Sequence, residues 1–294
     1  MNSKIYNITL RRIRSSRKAI ALVGVSVFAL GVAIPPASAS TNSTNWPYTS
    51  SSTWAPNGYD VSYPQCTSTT PYSSGEFAMI GIDGGRPFNT NGCVTNEWGA
   101  ALTAGASSIS IYINTGYSGA YAHDITTNCA NDIKTAPNPP YPVGSKLAQA
   151  WEIGCSEADF ALSTAMTDVV NPNANSQVGG GMWWADVETG NSWSTNKSLN
   201  QATIQGVVTE LATPTGDLPN TSTSLSSEGG LPVGIYSNTT FWNKIMGKSW
   251  SGSGSSADWV AGSSCSAAFD SSPVWVTQSG STAVGDPDTA CPVS

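Results

Sequence analysis

Asp186 and Glu188 stand two residues apart in GMWWADVETGNSW, residues 181–193, directly behind Trp183 and Trp184. In an extended strand residues i and i+2 share a face, so both acids lie on the face that carries Trp184. Other acids close or follow further apolar runs: Asp60 in GYDVSYPQ, Asp83 in IGIDGG, and Asp286 and Asp288 in GDPD. Carboxylates gathered in one mouth raise the proton affinity of at least one of them, by like-charge repulsion and desolvation. One carboxyl can then stay protonated near neutral pH beside an ionised neighbour. That pairing protonates a leaving oxygen while a positive centre is stabilised, which is the requirement of glycoside hydrolysis.

Other chemistries find less support. A Ser-His-Asp arrangement would depend on His123, the only histidine, and no G-x-S-x-G elbow is present. Zinc lacks a C-x-x-C pair. A calcium site built from Asp60, Asp186, Glu188 and Asp286 is the metal alternative for the same acids, since hard oxygen ligands suit that ion. The preferred reading needs neither metal nor cofactor.

The elements that must position these acids are short. Strands are expected at 58–63, 77–83, 108–114, 182–188, 231–237, 258–262 and 273–278, where Val, Ile, Tyr and Trp recur. Helical patterns at 96–105, 145–170, 199–212 and 239–246 separate them. Such alternation implies a parallel α/β sheet wound by right-handed crossovers. A domain of roughly 240 residues without a Gly-rich phosphate loop favours a TIM-type barrel over an open sheet. The helices run out after the fifth strand. In a barrel, strand ends converge on one rim, so acids distant in sequence can meet there.

The chain ends and composition restrict the setting. Arg11, Arg12, Arg14, Arg17 and Lys18 precede an apolar run from Ala19 to Ile34 and the small residues ASA. This pattern reads as a signal peptide over 1–39, and the apolar run is short of the roughly 20 residues a spanning helix needs. Residues 40–56 read as a flexible Ser/Thr-rich lead-in, and 57–294 as the barrel domain. The leader holds six of the 12 basic residues and none of the 19 acids, so the remainder is strongly acidic. Binding to nucleic acid is therefore not expected, because phosphate affinity is built from Lys and Arg. Six cysteines in an exported chain imply three disulfides, for which about fifteen pairings are open by count alone; the expected one joins sequence neighbours, Cys66 with Cys93, Cys129 with Cys155, and Cys265 with Cys291.

GYDVSYPQ at 58–65, WWADVE at 183–188, VGIYSNTTFW at 233–242, and the closing Trp275, Gln278 and Asp286 or Asp288 together resemble the family-25 glycoside hydrolases. That lysozyme family cuts the peptidoglycan backbone. The resemblance implies an irregular (β/α)5(β)3 barrel. It makes Glu188 the general acid and gives Asp186 the substrate N-acetyl group, which attacks its own anomeric carbon. Asp60 would bind sugar or tune Glu188, and Asp288 or Asp286 would supply the carboxylate of the last strand. Trp184 is expected to stack on sugar, with Tyr112, Tyr236, Gln278 and Asp83 completing the substrate-binding set, while Trp183 faces the helices. The implied protein is a secreted or wall-associated bacterial hydrolase of an N-acetylated glycan, most simply peptidoglycan, without stable membrane insertion. The alternative is a non-catalytic wall-binding or structural protein on the same barrel. The chain departs from the usual pattern at IGIDGGRPF, where many family lysozymes carry a Lys-Ala-Thr-Glu-Gly type segment. IDGGRPFNTNGC and DVETGNSW instead resemble an exported bacterial subgroup described as glycoside-hydrolase-like.

Overall fold

The computed structural model describes residues 46, 48–50, 52, 55–66, 71–169, 182–213 and 233–293. Of the chain's two compact units, Met1–Ser40 lies outside those residues and Thr41–Ser294 contains them. The expected leader therefore falls outside the described residues. Among those described, no helix is long and apolar enough to cross a membrane.

Eight strands close a barrel in sequence order. They are β1 (Asn57–Val61), β2 (Phe77–Gly81), β3 (Ser108–Asn114), β4 (Trp183–Asp186), β5 (Val233–Ser237), β6 (Ala257–Ala261), β7 (Val274–Gln278) and β8 (Asp286–Ala290). The first seven run parallel, and β8 is antiparallel to both of its neighbours, β7 and β1. This corrects the expectation that every strand ends at the acid-bearing rim. Asp286 and Asp288 reach that rim because β8 starts there, with Asp60 opposite Asp286 and Gln278 opposite Asp288 in register. Pro287 hides β8 from sequence reading, since proline within a run argues against a strand. Its missing N–H leaves a ladder position that its carbonyl still serves, accepting from the Ser279 N–H at 3.0 Å.

Helices α1 (Val94–Ala104), α2 (Thr127–Thr135), α3 (Lys146–Asp168), α4 (Lys197–Ala212) and α5 (Thr239–Ile245) accompany the first five strands. Helix α2 escapes the sequence pattern because Cys129 and Ile133 are its only buried residues. Ser145, Asn196 and Asn238 cap α3, α4 and α5, each accepting a backbone N–H through its side-chain oxygen. Each such cap contributes about 1 kcal/mol. Helices α3 and α4 touch backbone to backbone: a Cβ on Gly154 would lie 1.9 Å from the Thr203 carbonyl oxygen, and one on Gly206 would lie 2.1 Å from that of Trp151. Only glycine permits this approach.

Strand alternation divides the core in two. Trp183, Ala185, Ile80, Ile113 and Ile235 face outward into the layer shared with the helices. Phe77, Met79, Trp184, Tyr236, Trp259 and Val276 fill the barrel itself. Gly234 makes room for the Trp184 ring, which would lie 2.2 Å from a Cβ there. From the lead-in, Trp46 packs edge-on to Phe77 at the start of β2 (centroids 5.3 Å apart) and to Trp184 (6.3 Å).

All three disulfides pair sequence neighbours as expected, with Cα separations of 5.4, 5.7 and 5.7 Å. They tie the segment after β1 to the start of α1, α2 to α3, and the segment after β6 to the end of β8.

Candidate active site

At the rim where the seven parallel strands end, neighbouring register positions bring the acids together. Asn114 closes β3 opposite Asp186 at the end of β4, and Asp186 in turn lies opposite Tyr236 of β5. The side chains of Asp60, Asp83, Asp186 and Asp288 are buried, whereas Glu188 and Asp286 are partly exposed. Among the described residues the only oppositely charged pair within ion-pair distance is His123 with Asp124. The mouth acids therefore gather without a cation to offset them, and burial dominates their chemistry.

Asp186 accepts a hydrogen bond from Asn114 Nδ2 at 2.5 Å through Oδ2, while Oδ1 is buried without a donor. Burial, then the charge of Glu188, drives its proton affinity well up. Asn114 is itself held by Asp83, whose Oδ2 accepts the Asn114 backbone N–H at 2.7 Å. Asp83 thus acts behind Asp186 rather than toward a ligand; only 3% of it is exposed, and burial raises its proton affinity strongly.

Glu188 lies beyond the end of β4. Its carbonyl accepts from Trp193 Nε1 at 2.7 Å and from the Asn191 N–H at 3.2 Å, which fixes the turn that carries it. Val187 stays bound to β5 through its N–H to the Tyr236 carbonyl at 2.9 Å. Partial burial raises the Glu188 carboxyl above its ordinary range; a hydrogen bond with Tyr236 opposes this and the charge of Asp286 adds to it.

Across the mouth, Asp60 Oδ2 accepts from Gln278 Nε2 at 2.8 Å, and the Tyr236 hydroxyl donates to Gln278 Oε1 at 2.6 Å. Asp288 Oδ1 accepts from Trp259 Nε1 at 2.9 Å. Asp60 and Asp288 are also hydrogen-bond partners of each other. Two carboxyls can attract one another only by sharing a proton. Burial pushes Asp60 up to about 7, opposed by Gln278 and reinforced by Asp286, and it raises Asp288 well above the ordinary carboxyl range. Both acids of the GDPD segment thus stand at the rim: Asp288 in the wall against Asp60, and Asp286 nearer solvent, accepting the Thr282 N–H at 3.2 Å.

The aromatic residues behave differently from expectation. Trp184 is 0% exposed and packs edge-on to Trp259 with centroids 5.8 Å apart. The expectation that it stacks on sugar is corrected: strand alternation does place it on the acid side, but one pleat deeper, where the barrel is filled. Trp259 forms the floor of the mouth, meeting Tyr236 at 4.5 Å and Tyr112 at 5.7 Å. Tyr112 is partly buried and hydrogen-bonds Ser62, and burial holds its hydroxyl well above the usual range. Gln278 has both ends of its amide engaged within the wall. Asn114 and Trp259 went unnoticed in the sequence. The available signal was strand phase, since Asn114 ends β3 as Asp186 ends β4.

IDGGRPF follows β2 at this rim and carries the Asp83 that holds Asn114. Gly85 has a positive φ of 81° and abuts the Tyr63 ring, and Phe88 packs against Tyr121 (5.5 Å) and Phe160 (6.0 Å) on the helical side. For the calcium alternative, the only described His, Cys, Asp and Glu side chains that converge closely enough to hold an ion are Cys129, Cys155 and Glu210. The two cysteines of that group are bonded to each other. A shallow cavity of about 490 Å³ opens beside the mouth between the segments following β5 and β6, lined by Asn238, Thr240, Phe241, Ala261 and Ser263 with no charged side chain.

Fold and site together define a closed, mixed eight-stranded α/β barrel with a carboxylate-lined mouth. No family model matches the chain, and no curated protein matches it. Solved structures are similar at low identity. One is a muramidase from Trichobolus zukalii, at 15% identity and TM-score 0.42, covering 81% of this chain and 95% of the other. A family GH25 lysozyme from Aspergillus fumigatus gives 12% identity and TM-score 0.46 over 81% and 94%. The catalytic domain of an endolysin from a bacteriophage of Listeria monocytogenes gives 15% and 0.48 over 82% and 95%.

Proposed function

We propose that the protein is a secreted glycoside hydrolase that cleaves an N-acetylated glycan, with the bacterial peptidoglycan backbone as its substrate. The observation that carries this reading is the division of labour at the end of β4. Glu188 is partly exposed with a raised proton affinity, while Asp186, two residues earlier, is buried, anchored by Asn114 and left with one oxygen lacking a donor. A proton donor and a fixed acceptor side by side suit neighbouring-group hydrolysis.

In this mechanism the Glu188 carboxyl gives its proton to the glycosidic oxygen as the bond from that oxygen to the anomeric carbon breaks. The carbonyl oxygen of the sugar's N-acetyl group forms the new bond to that carbon. Asp186 Oδ1 accepts the acetamide N–H, orienting the group and offsetting the positive charge that develops on it. Water then attacks the anomeric carbon as its bond to the acetyl oxygen breaks, which restores the N-acetyl group, and the water's proton returns to the Glu188 carboxylate. Asp60 and Asp288 hold their shared proton within the wall, and the uncharged cavity beside β5 and β6 suits a neutral sugar of the chain.

Export fits this reading, because the basic and apolar leader, the three disulfides and an extracellular polymer all belong to the same compartment. Replacing Glu188 by Gln removes the transferable proton and keeps the shape. The expected result is loss of reducing-sugar release from purified peptidoglycan with an unchanged melting temperature. Undiminished release by that variant would refute the role of Glu188. A wild-type protein that sediments with peptidoglycan but releases nothing would identify the wall-binding alternative.

A further inference from the structure

We propose that a cavity on the helical side of the barrel is a binding site for an organic cation, an ammonium group carried on an apolar body. None of the acids of the mouth lines it, and it stands apart from the hydrolase reading.

The cavity holds about 690 Å³ and opens between α2, α3 and α4. Ile133, Ala136, Pro137, Pro140 and Trp151 give it an apolar wall. Among the described residues of that wall the charged ones are Asp132 and Glu210, both acids, and Glu210 is only 2% exposed. An apolar cleft of roughly 300–1,000 Å³ with a few polar groups is the usual form of a small-molecule site. Acids of one sign select a cation, and Trp151 adds to that preference because an indole ring attracts positive charge to its face.

A third carboxyl reinforces the field. Ser253 lines the cavity, and its hydroxyl donates to Asp270 Oδ2 at 2.6 Å. Asp270 also accepts from the Ser255 hydroxyl and from the Ser272 N–H, both at 2.8 Å. Burial opposes its ionisation, but these hydrogen bonds and one with Asp258 outweigh it and hold the carboxyl below the ordinary range.

A bare metal ion suits the cavity poorly. Its ligands would be Cys129, Cys155 and Glu210, yet the two sulfurs are bonded to each other. One carboxyl is far from the roughly six to eight oxygens that calcium takes. Glu210 Oε2 lies 3.5 Å from Cys155 Sγ, and a disulfide sulfur has no hydrogen to offer it.

The shape of the cavity is held by ties that need no occupant. The disulfide fixes α2 on α3. The Tyr141 hydroxyl donates to Gln205 Oε1, while Gln205 Nε2 donates to the Gly252 carbonyl at 2.9 Å. One amide on α4 thereby secures both the proline-rich segment after α2 and the segment before β6. A site formed in advance spares a ligand the cost of ordering it.

The test is a titration of nitrogen-labelled protein near neutral pH, disulfides intact, with benzylammonium and with benzyl alcohol, its uncharged counterpart of similar shape. Amide resonances of Ala136, Gln205 and Gly252 are expected to move saturably with the ammonium, and the alcohol should bind about tenfold more weakly or worse. Asp132→Asn should weaken ammonium binding by about tenfold, leave the alcohol unaffected and keep the melting temperature. Thr209→Trp adds bulk to the wall and should abolish binding of both probes; if it does not fold, Asp132→Asn decides alone. Equal affinity for the two probes would overturn the proposal, as would the absence of saturable shifts or shifts confined to the mouth at Asn114 and Gln278. No turnover is measured, so failure here leaves the hydrolase reading untouched, and a protein inactive on every glycan could still pass.

Discussion

Replacing Asp60 by Asn should make the protein more stable above neutral pH, because the mouth concentrates acids that the fold prefers to keep protonated. Asp60 is only 7% exposed, and its carboxyl is pushed from 3.8 to about 7, chiefly by burial. The folded state therefore keeps a proton that the unfolded chain releases. This contribution to stability is fully present below the unfolded value, is lost as pH rises from about 4 to about 7, and is level beyond. At 1.36 kcal/mol per pH unit the loss amounts to roughly 4 kcal/mol. Burial raises Asp186, Glu188 and Asp288 as well, so they steepen the decline in the same direction. Asparagine keeps the shape and can still meet Gln278, with its amide turned. Urea unfolding with disulfides intact, at about pH 5 and about pH 8, should show the variant losing less stability over that interval, by up to about 3 kcal/mol, the part of the loss that falls between those two pH values. Contributions from groups that do not interact with Asp60 are common to both proteins and cancel, whereas the neighbouring acids, relieved of its charge, add to the difference in the same direction. Parallel pH dependence in wild type and variant would mean that Asp60 does not carry a raised proton affinity, and the account of the mouth as a place where burial keeps carboxyls protonated would fail.

Asn114→Ala should strip Asp186 of its donor and leave two buried oxygens unsatisfied. The expected cost is roughly 1–3 kcal/mol in unfolding free energy, with a fall in turnover on the order of a hundredfold if Asp186 orients substrate; a variant with full turnover would show that the contact is structural only. Gly154→Ala should destabilise the α3 and α4 pair by about 3 kcal/mol or more, because its Cβ would meet backbone at 1.9 Å. Gly99→Ala, within α1 and with nothing within 4 Å of the new carbon, is the control and should be neutral or mildly stabilising. Thermal melting of both variants distinguishes a specific close approach from a general intolerance of helical glycine replacement.

Much of the fold was legible because local patterns and tertiary structure agree. Seven of the strands announce themselves by apolar runs, and the β4 face that holds Trp184, Asp186 and Glu188 follows from the two-residue period alone. The sequence left the disulfide pairing open by count, and the structure selects neighbours because loops of 26 or 27 residues return to their starting point once two adjacent elements pack. Helix α2 and strand β8 were not legible, the first for its polar surface and the second for Pro287. The misplacement of Trp184 has a related cause: phase states which face a residue occupies but not how far below the rim it sits. Asn114 was overlooked because an uncharged amide draws no notice until a carboxylate is seen 2.5 Å away.

By itself, the sequence determined the alternation of strands and helices, the acidic balance, and which side chains share a face, because each depends on residues near one another in the chain. Only the tertiary structure decided that β8 runs backwards and so delivers Asp288 to Asp60. It likewise decided that Gln278 spends both ends of its amide in the wall and that, among the described residues, no cation lies within ion-pair distance of the acids at the mouth. Those outcomes depend on how eight strands close on one another and on the register at each seam, which no local pattern carries. Desolvation follows closure in turn, and it raises the proton affinity of five carboxyls, at Asp60, Asp83, Asp186, Glu188 and Asp288, above the ordinary range.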